Sequence, residues 1–284
     1  MSAAVAMKTA HLFAGVGGGM LADLILGHTP VLAVEQDAYC CDVLRDRSED
    51  GWFPGLTVAE CDIRTFDFMP WRGRVDCIAA GFPCQDISAA GKGAGIGGER
   101  SGLFFEVTRA IDVIQPRYVF LENSPLIRTR GRDVVIRELL ARGYAWRDGK
   151  IGASDVGAPH RRDRWFLLAA NPDRVRRQQE QHQHKEQSRD GGLLPNGPSG
   201  TAPDTLRTRL QEPVQRGALE AEERDTIEAI ARHTGAYDWA PAYSHGGGMA
   251  HGLSAKSHRV RALGNAQVPL QAAAAWLALM SDRH

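Results

Sequence analysis

The stretch Thr9-Ala10-His11-Leu12-Phe13-Ala14-Gly15-Val16-Gly17-Gly18-Gly19-Met20 decides the fold. Thr9 to Ala14 is a short apolar run that reads as a strand, and Met20 to Leu26 reads as a helix. The glycines between them let the backbone turn tightly and approach a ligand closely. The helix N-terminus that follows can face a negative group. Taken alone, such a cluster is equally an ordinary strand–turn–helix link, and its spacing is not the GxGxxG of dinucleotide sites.

Outward from this turn the same rhythm repeats. Val31 to Val34 is a second strand, closed by Glu35. That carboxylate falls about twenty residues after the turn, where an acid can bind ribose hydroxyls. Val75 to Ala80 is a strand leading into Gly81-Phe82-Pro83-Cys84, Leu103 to Ile114 a helix, and Tyr118 to Leu121 a strand ending at Glu122-Asn123. Val134 to Arg142 is a helix and Arg164 to Ala170 a strand. Alternating strands and helices predict an α/β fold with a doubly wound, mostly parallel sheet. In such sheets ligands sit at the carboxyl ends of strands, where these motifs fall.

The character changes after Ala170. Residues 171–204 are rich in Gln, His, Arg, Gly and Pro, which reads as a solvated segment. Residues 205–233 read as charged helix, and Tyr237 to Gly252 as loop. Core-like sequence returns near the end, with a helix from Leu270. The organisation expected is a domain over 1–170, a separate region over 171–257, and a segment 258–284 that rejoins the first domain.

A chain of 284 residues with 43% hydrophobic content can bury a full core. Its net charge is zero, so any nucleic-acid contact has to come from basic residues gathered on one face. The five cysteines, Cys40, Cys41, Cys61, Cys77 and Cys84, are odd in number and irregularly spaced. That argues against a disulfide framework, and no paired CxxC suggests a metal site. The reading is a reduced, intracellular, cytoplasmic protein without a targeting segment or membrane span.

Four further positions carry potential chemistry. Pro83 fixes the chain before Cys84 and presents the thiol at a strand end, with a glycine-rich stretch to Gly98 behind it that could close over a substrate. A lone cysteine is otherwise a small buried hydrophobe. Glu122, after Val119-Phe120-Leu121, is a carboxylate at a buried strand end, where a proton is held more tightly; it could equally cap the next segment. Arg162 and Arg164 alternate before an apolar strand and so share one face, as a solvated strand end also would. Gly264-Asn265 is by itself a turn.

In order along the chain, these residues resemble the DNA (cytosine-5) methyltransferase family. The resemblance covers residues 9–170 and 258–284. It implies a Rossmann-like fold and S-adenosyl-L-methionine as methyl donor, leaving S-adenosyl-L-homocysteine. The cofactor residues it implies are Phe13, Gly15, Gly17, Gly18, Glu35, Asp62, Ile63, Pro83, Leu103 and Asn265. The nucleophile it implies is Cys84, in Pro83-Cys84-Gln85, with Glu122, Arg162 and Arg164 as its catalytic partners. Gln85, Ser88, Lys92 and Arg100 would contact nucleic acid, and residues 171–257 would recognise the target. The partner expected is double-stranded DNA with a flipped cytosine, the enzyme acting as a monomer in a phage or restriction–modification setting.

The sequence departs from the family pattern in places. Position 11 is His where Asp is frequent, Gln36 stands where an aromatic often stacks on adenine, and Ser124 follows Glu122-Asn123. An Arg-x-Leu-Thr-x-Arg-Glu element is missing. Three rival readings stand beside the main one: a tRNA cytosine-5 methyltransferase, a non-catalytic DNA-binding homologue, and a nicotinamide-dependent oxidoreductase on the same sheet.

Overall fold

Period-two alternation sorts each strand's side chains onto two faces. Leu12, Leu32, Ile78, Leu121 and Leu167 bury on one face; Cys77, Phe120, Phe166 and Leu168 bury on the other. Helices cover both faces, as a sheet apolar on both sides requires. The computed structural model describes residues 6–83, 102–158, 160–177, 180 and 266–280.

The described strands are β1 (Lys8–Leu12), β2 (Thr29–Glu35), β3 (Thr57–Glu60), β4 (Cys77–Ala80), β5 (Tyr118–Asn123), β6 (Ala145–Ile151) and β7 (Arg164–Ala170). They form one sheet in the order β3-β2-β1-β4-β5-β7-β6. The four pairings from β3 to β5 are parallel, whereas β7 runs antiparallel between β5 and β6. The order reverses between β1 and β4, the switch point where sheets of this kind form a ligand crevice at the carboxyl ends. The glycine turn follows β1 and Gly81-Phe82-Pro83 follows β4, so the two motifs flank that crevice.

The helices among the described residues include α1 (Gly18–Ile25), α2 (Ala38–Glu49), α3 (Leu103–Ile114), the short α4 (Ile127–Arg130), α5 (Arg132–Ala141) and α6 (Pro269–Met280). Phe104, Val107 and Ile111 of α3 and Val135 and Leu139 of α5 pack on one face. On the other, α6 lays Leu270, Trp276 and Leu279 beside Ala22 and Ile25 of α1. Each such large side chain contributes about 1.5–3 kcal/mol on burial. Gln271, 1% exposed, ties α6 to the sheet edge by donating to the carbonyls of Ile151 and Arg162 at 2.7 and 2.8 Å.

The sequence reading locates α3 and β7 at their observed bounds. It runs β1 two residues too far, because Phe13 turns into the left-handed region with φ 57°. It misses α2, β3 and β6 altogether. Helix α2 buries only Cys40, Cys41 and Leu44, β3 is a half-exposed edge strand, and β6 carries Arg147, Asp148 and Lys150. Asp148 is buried in β6 yet fully engaged: Arg132 donates to both its oxygens at 2.6 and 2.9 Å, and Trp165 Nε1 donates at 2.7 Å. Past Ala170 the chain stays helical over 172–177, with Val175 packed on Ala145 and Ala170. The helix read over 205–233 and the loop over 237–252 lie outside the described residues.

One buried group sets a pH limit on this packing. Both ring nitrogens of His28 are buried without a hydrogen-bond partner among the described residues, and the ring sits edge-on to Trp276 at 5.4 Å. Burial pushes its pKa below the ordinary 6.5, against the opposing pull of Asp23 and Asp76. The unfolded chain therefore binds the proton more readily. Stability is intact above pH 6.5 and is lost as pH falls below it. Urea unfolding at pH 7.5 and 5.5 should show a smaller loss on acidification in His28→Leu than in the natural sequence; equal losses would contradict this.

Candidate active site

The crevice is built from five strand ends. After β1, Gly15 and Gly17 turn the chain with φ 54° and 89°, a region that a side chain makes costly. Glu35, closing β2, holds that turn: its Oε2 accepts from Gly15 N at 2.8 Å, and its Oε1 from Gln36 N and Asp37 N at 2.8 and 2.9 Å. The carboxylate thus orders the glycine turn, with lone pairs left for a further donor. After β3, Asp62 caps a 3-10 turn over Ile63–Thr65 and pairs with the Arg64 guanidinium at 2.5 Å. The hydrogen bonds from Arg64 hold the Asp62 pKa down to about 2. Ile63 is buried; Phe13 and Leu103 are half-buried against the same core.

Glycines of this turn serve two purposes. A Cβ on Gly15 would meet nothing within 4 Å among the described residues, which leave the space over the turn open. A Cβ on Gly18 would overlap the Gln267 carbonyl oxygen, so Gly18 admits the returning C-terminal segment. Beneath the turn, His11 Nε2 lies 2.6 Å from Asp23 Oδ2, and Thr9 Oγ1 donates to the same oxygen at 2.5 Å, all buried. An aspartate at position 11 would face the Asp23 carboxylate, which accounts for histidine there.

Glu122 and Arg164 meet because β7 runs antiparallel. Glu122, near the end of β5, is registered with Phe166, which places Arg164, the first residue of β7, at the same edge of the sheet. Arg164 Nε pairs with Glu122 Oε1 at 2.7 Å. Glu122 is 9% exposed, and burial raises its pKa; the charges of Arg164 and Arg162 and a hydrogen bond from Gln267 act against that rise. Arg162 takes a positive φ of 26° and donates from Nη2 to the Ala266 carbonyl at 2.7 Å, joining the strand β7 entry to the C-terminal segment.

Asn123 points the other way and donates from Nδ2 to the Phe82 carbonyl at 2.8 Å. It thereby fixes the main chain two residues before Cys84. Pro83 is the last described residue of that turn and is exposed. Cys84, Gln85, Ser88, Lys92, Arg100 and Asn265 lie outside the described residues. Of the other sequence-chosen positions, Phe13, Gly15, Gly17 and Gly18 follow β1 or open α1, Glu35 closes β2, Asp62 and Ile63 follow β3, Pro83 follows β4 and Leu103 opens α3, while Glu122, Arg162 and Arg164 come together at the β5–β7 edge. Asn123 was noted only as part of the Glu122-Asn123 pair, and Gln267 and Gln271 were not singled out. The available signal was the placing of two amides at the start of an otherwise apolar helix. Among the described residues no group of His, Cys, Asp or Glu could hold a metal ion, and no helix is long and apolar enough to cross a membrane.

Such a sheet, with an acid-braced glycine turn at its switch point and a buried carboxylate–arginine pair beside it, places the chain in the Rossmann-like class. Within that class the chain belongs to the C-5 cytosine-specific DNA methylase family, which matches residues 7–262. It is 34% identical over 171 residues to the Type II methyltransferase M.CviJI of Paramecium bursaria Chlorella virus IL3A, covering 60% of this chain and 44% of that protein. It is 36% identical over 172 residues to M2.BsuMI of Bacillus subtilis (58% and 42%), and 35% identical over 168 residues to M.Eco47II of Escherichia coli (57% and 39%). The matched stretch spans less than half the length of each of these relatives.

The two roles of the glycines separate experimentally. Gly15→Ala, strained but unobstructed, should cost about 1–2 kcal/mol of unfolding free energy. Gly18→Ala, which displaces backbone, should cost about 3 kcal/mol. Chemical denaturation checks the order, and equal losses would contradict the packing role of Gly18.

Proposed function

We propose that the chain transfers a methyl group from S-adenosylmethionine to carbon 5 of cytosine in double-stranded DNA, through a covalent intermediate on Cys84. The observation that carries this reading is the buried Glu122, paired with Arg164 beside the glycine crevice, in a chain of the C-5 cytosine-specific DNA methylase family.

The crevice suits the cofactor. Open space over Gly15, the Glu35 and Asp62 carboxylates after β2 and β3, and the half-buried Phe13 and Leu103 fit a nucleoside with a charged tail. Gly17, Gly18, Ile63, Pro83 and Asn265 complete the residues that would hold it. Bound there, S-adenosylmethionine supplies an electrophilic methyl group.

Carbon 5 of cytosine is a poor nucleophile until carbon 6 is attacked. The Cys84 thiolate adds to carbon 6, forming the S–C bond, while Glu122 delivers its proton to ring nitrogen 3. The ring becomes enamine-like and carbon 5 takes the methyl group. Arg164 stabilises the carbonyl oxygen, and Arg162 and Arg164 favour the thiolate. Removal of the carbon 5 proton by a base or water expels Cys84, and the nitrogen 3 proton returns to Glu122. A carboxyl that both gives and regains a proton is best served by the raised pKa that burial imposes on Glu122. The base must leave the duplex to reach this site, at a cost of a few kcal/mol. Gln85, Ser88, Lys92 and Arg100 are the proposed phosphate and base contacts that offset it.

Transfer of labelled methyl groups from S-adenosylmethionine to duplex DNA and to tRNA tests the reading. We expect label in the DNA, none in Cys84→Ala, and undiminished cofactor binding by calorimetry in that variant. Label in tRNA alone would replace the substrate, and turnover by Cys84→Ala would remove the nucleophile.

A further inference from the structure

Glu122 has a neighbour that none of the sequence motifs names. Gln267 lies two residues before α6, and its side chain reaches from the C-terminal segment to between Gly19 and Gly81. Its side chain hydrogen-bonds the Glu122 carboxylate. Its Nε2 and Glu122 Oε2 stand 3.4 and 3.1 Å from where a Gly81 Cβ would be. On the far side, its Oε1 and His11 Nδ1 stand 2.6 and 3.2 Å from where a Gly19 Cβ would be. The amide is therefore flanked by two glycines, either of which would crowd it if it carried a side chain.

The groups facing Glu122 come from three elements. Arg164 on β7 holds Oε1, Arg162 faces it from the loop before β7, and Gln267 comes from the segment before α6. Gly81, after β4, adds no side chain. Both arginines are donors only, so they favour the ionised carboxylate and have nothing to offer a carboxyl O–H. A primary amide differs, because it carries a donor and an acceptor on one planar group.

We propose that Gln267 is a positioning residue for Glu122: its Nε2–H donates to the ionised carboxylate, and after a half-turn of the amide its Oε1 accepts the carboxyl proton, so that one side chain serves both protonation states. This rests on Glu122 as the group that exchanges a proton with the base. It also explains why Gly19 and Gly81 are glycines: the amide needs clearance on both sides to turn.

The test uses the full chain with two substitutions. Gln267→Met keeps the volume and removes both the donor and the acceptor; Gln267→Glu keeps the shape and adds a charge. The first readout is the titration midpoint of the Glu122 side-chain carboxyl by carbon-13 NMR, which needs no activity. It should move up in Gln267→Met, because the donation lost to the charged carboxylate outweighs the acceptance lost from the neutral carboxyl, and further up in Gln267→Glu, where two carboxylates share the site. The second readout is methyl transfer to duplex DNA. In Gln267→Met, kcat should fall about ten- to a hundredfold, the loss expected for one hydrogen bond to a charged group, with KM for S-adenosylmethionine and DNA within about twofold. An unmoved midpoint in both variants overturns the proposal, whatever the activity. A raised KM for S-adenosylmethionine with unchanged kcat and midpoint also overturns it, assigning Gln267 to cofactor binding. A shifted midpoint in a chain that methylates no nucleic acid keeps the contact and removes the catalytic reading instead. Should Gln267→Met fail to fold, the midpoint in Gln267→Glu decides.

Discussion

The ion pair between Glu122 and Arg164 is the constraint around which the rest of this site is arranged. A carboxylate that is 9% exposed is costly unless a charge and further donors meet it. Here the charge arrives from the neighbouring strand at 2.7 Å, and it can do so only because β7 runs antiparallel to β5. Were β7 parallel, its first residue would lie at the opposite edge of the sheet. The one reversal in strand direction thus brings the arginine to the carboxyl ends of the parallel strands, beside the crevice at the β1–β4 switch point. On the proposed mechanism the pair serves chemistry rather than stability, since buried ion pairs add little net free energy to a fold.

The site is also closed by chain ends far apart in sequence. The C-terminal segment enters over the N-terminus of α1, where Gly18 leaves room for its main chain. It accepts a hydrogen bond from Arg162 at the Ala266 carbonyl, and it pins Ile151 and Arg162 through Gln271. Helix α6 then seals one face of the sheet against α1. The proposed binding and catalytic residues of the first part of the chain are therefore held by residues of the C-terminal segment. That dependence links the integrity of the last helix to the chemistry beside it.

Much of this was legible in the sequence. The glycine turn, Glu35, Glu122 and Arg164 each sit at a strand end that apolar runs had marked, and α3 and β7 fall at their expected bounds. What hid from the sequence was carried by polar residues whose partners are distant. Strand β6 looks unlike a strand because Arg147 and Asp148 interrupt it, yet Asp148 is satisfied by Arg132 and Trp165. Asp23 looks like a surface charge on α1 but is buried against Thr9 and His11. Gln267 looks like an ordinary residue before a helix. Its place beside Glu122 depends on the return of the C-terminal segment, which periodicity alone does not specify.

The central claim is that Glu122, held by Arg164, activates a cytosine for attack by Cys84. The most direct measurement is the rate of denaturation-resistant adduct formation between the full chain and duplex DNA carrying 5-fluorocytosine, with S-adenosylmethionine present, in the natural sequence and in Glu122→Gln. The account predicts a stable adduct in the first and formation slowed by about a hundredfold or more in the second. Equal rates in the two proteins, or no adduct from a folded, cofactor-binding chain, would contradict it.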